Sequence, residues 1–217
     1  MLKTLKFKGD ESSFFFISDL HHHHDRDFIW GKRGFSSIEE SDLALVKNWN
    51  NKCDENSIIF HLGDFIFNDG NGERIYKLIE KLRFKELFLF LGNHTSGHRQ
   101  AYQEQLKAQF GEIDFEVYPL SFIHQGKKVT FLPQYAEVNI NSTMLILFHY
   151  PILSFNNQNQ SAIHLCGHSH GSCELSNKDT GKGFRLDVGV ESFGEPITLK
   201  EVKNHLKNRS IDKQDHH

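Results

Sequence analysis

The sequence lacks any hydrophobic run long enough to cross a membrane. Its longest apolar runs, such as Phe14–Ile17 and Leu87–Leu91, hold only a few residues, whereas a membrane-spanning helix needs about 20. The first six residues also lack the hydrophobic segment of a secretory signal. These absences predict that the chain has no membrane partner and works in the cytoplasm.

Cysteine and net charge are also scarce. The odd number and the spacing of Cys53, Cys166 and Cys173 fit neither a disulfide framework nor a CxxC zinc site, so we expect reduced thiols. A formal net charge of −3 excludes the large basic surface of a general nucleic-acid coat but leaves a local basic groove open. Because no Pro-, Gly- or Ser-rich stretch divides the chain, we predict one domain over residues 1–210 and a polar tail over 211–217.

Short apolar runs predict buried β-strands. The five clearest are Phe14–Ile17, Ile58–Leu62, Leu87–Leu91, Met144–Phe148 and Ile163–Cys166. Turn-forming residues at 125–127 and 141–142 predict antiparallel neighbours in the second half of the chain. The first turn joins the runs Val117–His124 and Lys128–Leu132, and the second joins Tyr135–Ile140 and Met144–Phe148.

Helical periodicity predicts four helices. Ser37 and Glu40 have capping-box spacing, and apolar residues at intervals of three extend this helix to about Asn50. The other three helices are predicted over residues 75–82, 98–110 and 198–208. Strand–helix alternation followed by hairpins predicts an α/β fold, a four-layer αββα sandwich of two mixed β-sheets flanked by helices.

Histidine is abundant, at 15 residues, and part of this excess follows the five clearest strands. Each strand is followed by a polar cluster, and the five clusters are Asp19-Leu20-His21, Gly63-Asp64, Gly92-Asn93-His94, His149 and Gly167-His168-Ser169-His170. Ligands of α/β sheets gather at the carboxyl ends of strands. The sequence therefore predicts one polar site built from five loops.

The order of these clusters, DxH, GD, GNH, a lone His and GHxH, resembles the signature of the calcineurin-like metallophosphoesterases. The resemblance covers the chain from Phe14 to about Gly194. It is closest to small bacterial and phage members, which also have an ISDxH start and NWN, HLGDF, GHSHG and DVGV segments.

The resemblance implies two divalent metal ions bridged by Asp64. One ion would be held by Asp19, His21, Asp64 and His170, and the other by Asp64, Asn93, His149 and His168. Nitrogen and oxygen ligands suit Mn, Fe, Zn, Co or Ni, with Mn favoured. Two ions bring +4 and two carboxylates −2, so the site would attract a phosphate ester and lower the pKa of a bridging water, whose hydroxide would attack phosphorus.

Three further residues are predicted to meet the substrate. The resemblance gives His94 a contact with the phosphate and the protonation of the leaving oxygen. Thr95 departs from the family, which has at this position an acidic residue able to orient and charge the histidine. His24, through a DxHxxH spacing frequent in phage-like members, and Arg33 are also predicted to bind substrate.

The remaining histidines divide into two pairs. His61 and His164 lie inside apolar runs and are predicted to be core residues. For His22 and His23 the sequence leaves both a site role and an exposed polar loop open.

We predict hydrolysis of a phosphate ester. A phosphodiester of nucleotide or nucleic-acid type is favoured by family habit and because no obvious cap domain encloses a small metabolite. The sequence leaves open a phosphomonoesterase or cyclic-nucleotide hydrolase on the same site, and a non-catalytic binding scaffold of the same fold. It does not determine the oligomeric state.

Overall fold

Two mixed β-sheets form the centre of the protein in the computed structural model, which describes residues 4–67, 73–95, 120–173 and 183–211. The strands are β1 (Leu5–Phe7), β2 (Phe14–Ile17), β3 (Ile58–His61), β4 (Glu86–Phe90), β5 (Leu120–His124), β6 (Lys127–Leu132), β7 (Tyr135–Ile140), β8 (Thr143–Phe148), β9 (Ile163–Cys166), β10 (Arg185–Asp187) and β11 (Ile197–Thr198).

The larger sheet has the strand order β11-β2-β3-β4-β6-β5. Its four inner strands run parallel, and β11 and β5 are antiparallel edge strands. All four residues of β2 are buried. Because successive residues point to opposite sides of a sheet, both faces of this strand are therefore covered. Phe14 and Phe16 face the core between the two sheets, whereas Phe15 and Ile17 pack in the core that includes the helices.

The smaller sheet has the order β1-β7-β8-β9-β10, in which only β7 and β8 pair antiparallel. Phenylalanine rings fill the space between the sheets. The ring of Phe60 stacks on Phe16 at 5.4 Å and on Phe88 at 4.8 Å between ring centroids. Because β8 and β9 are parallel, the residues that follow them emerge at the same edge of the sandwich.

The described helices are α1 (Asp27–Trp30), α2 (Ile38–Lys52), α3 (Glu73–Lys81), α4 (Val190–Phe193) and α5 (Leu199–Leu206). At the start of α2 the Ser37 side chain accepts the Glu40 N–H, and Thr198 forms a capping box with Glu201 at the start of α5. Trp49 of α2 is fully buried, and its Nε1–H donates to the Arg83 carbonyl at 2.9 Å. Of these helices none has the length and apolar character that a bilayer crossing requires.

The predicted fold class is confirmed, since two mixed sheets are flanked by helices. The five clearest predicted strands are present, with ends that differ by at most one residue. β1, β10 and β11 were not predicted, because strands of three, three and two residues carry too little pattern. The helix predicted over residues 98–110 lies outside the described residues, as do positions 117–119 and most of the predicted tail.

Candidate metal centre

The polar clusters converge because several strands end at one edge of the sandwich. Backbone hydrogen bonds join the loops that follow these strands: the Asp19 N–H donates to the Gly63 carbonyl at 3.1 Å, and the Gly167 N–H to the His149 carbonyl at 2.9 Å. As a result, the structure brings together all seven residues that the resemblance implies as metal ligands.

The backbone of this cluster is strained. Five of the seven residues have φ between 48° and 66°, a left-handed conformation that residues with a Cβ rarely adopt. They are Asp19, His21, Asp64, His168 and His170. Such residues cost about 1–3 kcal/mol each and persist only where the surrounding structure holds them, mostly at functional sites. This backbone conformation lowers the stability of the fold, and it directs the five side chains to one place.

Two glycines allow the loops to approach each other. A Cβ on Gly63 would lie 2.5 Å from Nδ1 of His149, and a Cβ on Gly92 would lie 2.5 Å from the backbone nitrogen of Asp64 and 2.6 Å from its Cγ. Real Cβ atoms do not come this close to other atoms. The glycines of the GD and GNH motifs are therefore required by packing around Asp64 and His149.

A first group of ligand atoms surrounds His21. Its Nε2 lies 3.2 Å from Nε2 of His170 and 3.6 Å from Oδ2 of Asp64. Asp19, His21 and His170 each offer an atom within 4.8 Å of the others. Two atoms that bind one metal ion at about 2.0–2.2 Å lie about 3–3.5 Å apart. The separations in this group fit a shared ion.

A second group surrounds Asn93. Its Oδ1 lies 2.8 Å from Nε2 of His149 and 2.9 Å from Nδ1 of His168. The same Nε2 of His149 is 3.4 Å from Oδ2 of Asp64, the carboxylate oxygen that also faces His21. One oxygen of Asp64 therefore lies between the two groups.

The Asp19 carboxylate shows that the residues present fit a cation. The side chain is fully buried, and its Oδ1 has no hydrogen-bond partner within the described ranges. Its Oδ2 accepts the backbone N–H of His168 at 2.9 Å. Burial raises the pKa of Asp19 to about 7 against the opposing effect of His149 and His170. A buried carboxylate with an unused oxygen needs a positive partner, and a metal ion would supply one.

Asp64 and His21 are already in the ionisation states that metal binding requires. Burial raises the pKa of Asp64, but the hydrogen bond and charge of His149 outweigh it and lower the pKa to about 2. Burial lowers the pKa of His21 to about 2. A carboxylate and a neutral imidazole are the forms that coordinate metals.

Glu191, which the sequence analysis did not predict as a site residue, supports this centre from behind. Its Oε1 lies 2.9 Å from Nδ1 of His170, which leaves Nε2 of that ring to face His21. Its only signal in the sequence is its place directly after the DVGV segment. Carboxylates that hold a ligand histidine in this way fix its tautomer and ring orientation.

Arg33 holds Glu191 in place. Its Nε and Nη2 donate to Oε1 of Glu191 at 2.9 and 2.8 Å, and the guanidinium also donates to the carbonyls of Leu20 and Asp19 at 3.0 and 2.7 Å. The side chain is only 6% exposed. The predicted contact between Arg33 and substrate stays a prediction.

His94 lies at the border between the cluster and an open cleft. Its backbone N–H donates to Oδ1 of Asp64 at 3.0 Å, and its ring centroid is 5.1 Å from that of His21. The ring also lines the cleft, whose other lining residues are Phe28, Ile29, Lys32, Ser169, His170, Ser172 and Glu191.

His24 is placed behind His21. Its Nδ1 lies 3.2 Å from Nδ1 of His21, and its ring stacks on Phe67 with centroids 3.7 Å apart. The residue is 3% exposed, and burial lowers its pKa to about 4. Its role as a substrate contact stays a prediction, and this geometry suits holding the His21 ring.

The structure buries His61 and His164 completely, within the core. His22 and His23, for which the sequence left two readings open, lie outside the seven-residue cluster. Of these two histidines, only His23 is exposed.

Comparisons with known proteins indicate the family and the fold of this chain. A model of the calcineurin-like phosphoesterase family matches residues 12–181. An uncharacterized protein of Methanocaldococcus jannaschii is 30% identical over 110 residues, and the match spans 51% of this chain and 57% of that protein. A solved structure of a protein of unknown function from Aquifex aeolicus has a TM-score of 0.58 at 20% identity and covers 88% of this chain and 97% of that one. This last likeness supports the fold alone.

Proposed function

The chain belongs to the calcineurin-like phosphoesterase family, and from this premise we propose that it is a phosphoesterase whose clustered residues hold two divalent metal ions. The observation that carries the proposal is the position of Asp64. Its Oδ2 is 3.6 Å from Nε2 of His21 and 3.4 Å from Nε2 of His149, which suits one oxygen shared by two ions.

The proposed ligand sets share Asp64. Asp19, His21 and His170 complete the first, and Asn93, His149 and His168 complete the second. When bound, such ions supply hydroxide near neutral pH and neutralise charge on the phosphoryl group. Nitrogen and oxygen donors suit Mn²⁺, which is our preferred ion.

The protein's own groups would orient the centre and the substrate. The Nδ1–H of His149 donates to the Leu62 carbonyl at 2.9 Å, so Nε2, which faces Asp64, is the ring nitrogen that would lose its proton and bind an ion. His94 is the proposed catalytic residue, because its ring borders both the cluster and the cleft. From there it would contact the phosphate and donate a proton to the leaving oxygen.

The proposed substrate is a phosphodiester of nucleotide or nucleic-acid type. The cleft beside His94 supports this class, because Phe28 is 54% exposed and Lys32 lines the same cleft. An aromatic ring can stack on a base, and an ammonium group can pair with a phosphate.

Asp64→Asn tests the proposal in the full chain reconstituted with Mn²⁺. We expect metal content to fall and turnover to drop to background, because both ion sites lose their shared carboxylate. The control is Asp54→Asn, an exposed aspartate whose Oδ1 accepts the Asn56 N–H at 2.8 Å, and it should retain metal and activity. Wild-type turnover in Asp64→Asn would contradict the assignment.

A panel of substrates tests the proposed preference for a phosphodiester. The wild-type protein is assayed on a diester, a monoester, a cyclic nucleotide and single-stranded nucleic acid. We expect the highest kcat/KM on the diester or the nucleic acid. A preference for the monoester or the cyclic nucleotide would reassign the substrate, and metal binding without turnover of any of them would indicate a scaffold.

A further inference from the structure

A second group of metal-type ligands lies outside the seven-residue cluster. Nδ1 of His22 and Nδ1 of His23 lie 3.4 Å and 3.7 Å from the same oxygen, Oδ2, of Asp42. The three residues offer ligand atoms within 4.8 Å of one another. Asp42 belongs to α2, whereas the histidines belong to the loop after β2. The fold, and not the histidine run alone, therefore creates the group.

The separations suit ligands of one ion better than hydrogen-bonded pairs. A direct hydrogen bond between nitrogen and oxygen is about 2.7–3.2 Å long. Two atoms bound to a tetrahedral zinc ion at about 2.0–2.1 Å lie about 3.3–3.4 Å apart. The distance from His22 to Asp42 has this value. The His23 side chain is 47% exposed, and its distance to Asp42 is slightly longer than this value.

Burial and hydrogen bonding prepare these atoms for a ligand. His22 is 4% exposed, and its Nδ1 has no hydrogen-bond partner in the part of the chain that the structure describes. The carboxylate of Asp42 accepts the backbone N–H of His23, at 3.1 Å to Oδ2 and 3.3 Å to Oδ1. A carboxylate accepts about four such contacts, so lone pairs remain for a cation.

The backbone fixes His22 independently of its side chain. The His22 N–H donates to the Phe65 carbonyl at 3.2 Å, and the His22 carbonyl accepts the Phe67 N–H at 2.9 Å. These two bonds hold the backbone from which the His22 ring extends to Asp42.

We propose that His22, His23 and Asp42 form a third transition-metal site, separate from the seven-residue cluster, that takes Zn²⁺. Two imidazole nitrogens and one carboxylate oxygen are a ligand set typical of zinc, and water can complete four-coordination on the exposed side of His23. The ion would tie α2 to the loop that carries Asp19 and His21.

Zinc content after equilibrium dialysis of the full chain tests the site. His23→Ala and Asp42→Asn should each bind one Zn²⁺ per chain fewer than the wild-type protein. His205→Ala, which removes an exposed histidine of α5, is the matched control and should bind as many as wild type. The tail residues His216 and His217 are present in every variant, so any zinc that they bind cancels. Equal zinc content in all four proteins would overturn the proposal.

A second measurement keeps the result separate from folding and from the proposed function. Zn²⁺ added to the Mn²⁺-loaded protein should raise the Tm of wild type and of His205→Ala more than that of His23→Ala, because any exchange of Mn²⁺ for Zn²⁺ at the seven-residue cluster is common to all three proteins. His23 is exposed, so its removal should leave the fold intact. The double variant with Asp64→Asn and His23→Ala should bind one Zn²⁺ fewer than Asp64→Asn alone. This difference is expected even if the seven-residue cluster holds no metal. An equal rise of Tm in His23→Ala would contradict the site.

Discussion

Gly92→Ala should disrupt the proposed metal centre without changing any of its proposed ligands. The new Cβ would lie 2.6 Å from Cγ of Asp64 and 2.5 Å from its backbone nitrogen. Carbon atoms pack at about 3.5–4.0 Å, so the Asp64 carboxylate must move by about 1 Å. A misplacement of this size in an active site costs about 10²-fold in rate. We therefore expect a loss of about 10²-fold in kcat/KM together with weaker metal binding.

The assay combines metal analysis after dialysis with kcat/KM at saturating Mn²⁺. Gly194→Ala is the control, because a Cβ there meets no atom within 4 Å although φ is +74°. It should cost about 1 kcal/mol of stability and leave metal content and rate unchanged. A double variant with Asp64→Asn should be no worse than Asp64→Asn alone, since both changes act through one carboxylate. Wild-type metal content and rate in Gly92→Ala would refute the packing argument.

Three further changes test other contacts. Glu191→Gln should weaken metal binding by about 10–100-fold, because His170 loses the carboxylate that orients its ring. Glu195→Gln is the control. Equal metal affinity in the two variants would contradict a role of Glu191 in orienting His170. His94→Ala should cost about 10²–10⁴-fold on esters with poor leaving groups and less on good ones; an equal loss on both would reject proton donation. Burial lowers the pKa of His164 from 6.5 to about 4. Between these two pH values the unfolded chain binds a proton at this residue and the folded chain does not, so the free energy of unfolding falls as the pH drops from 6.5 to about 4. His164→Gln should remove about 3 kcal/mol of the stability difference between pH 7 and pH 4 in urea titrations, and an unchanged difference would contradict the reasoning.

Much of the fold is encoded locally. The run Phe14–Ile17 predicts β2 at its observed bounds, because a buried parallel strand is apolar at every position. Ser37 and Glu40 likewise predict the start of α2, although the Glu40 side chain accepts the Ser36 N–H at 2.8 Å instead of the Ser37 N–H. β10 was not predicted, because its three residues gain their partners only by pairing with β9.

The metal-type residues are also determined by the sequence, since each follows a strand whose end can be predicted. Asp19 and Asp64 meet whenever parallel β2 and β3 stand side by side. The sequence could not determine what lies behind them. Glu191 reaches His170, and Arg33 reaches Glu191 across 158 positions. The sequence predicted Arg33 only as a substrate contact and marked Glu191 only by its place after the DVGV segment, so neither of these contacts could be predicted from the local pattern.

The histidine run shows the same division in one segment. The resemblance implies that His21 of the DxH motif is a metal ligand, whereas the sequence left His22 and His23 between a site role and an exposed polar loop. Only the tertiary structure decided their surroundings, because Asp42 comes from a helix that packs against this loop. Spacing determines which side chains share a loop, whereas burial and partners depend on elements distant in the chain, and their contacts exist only after folding.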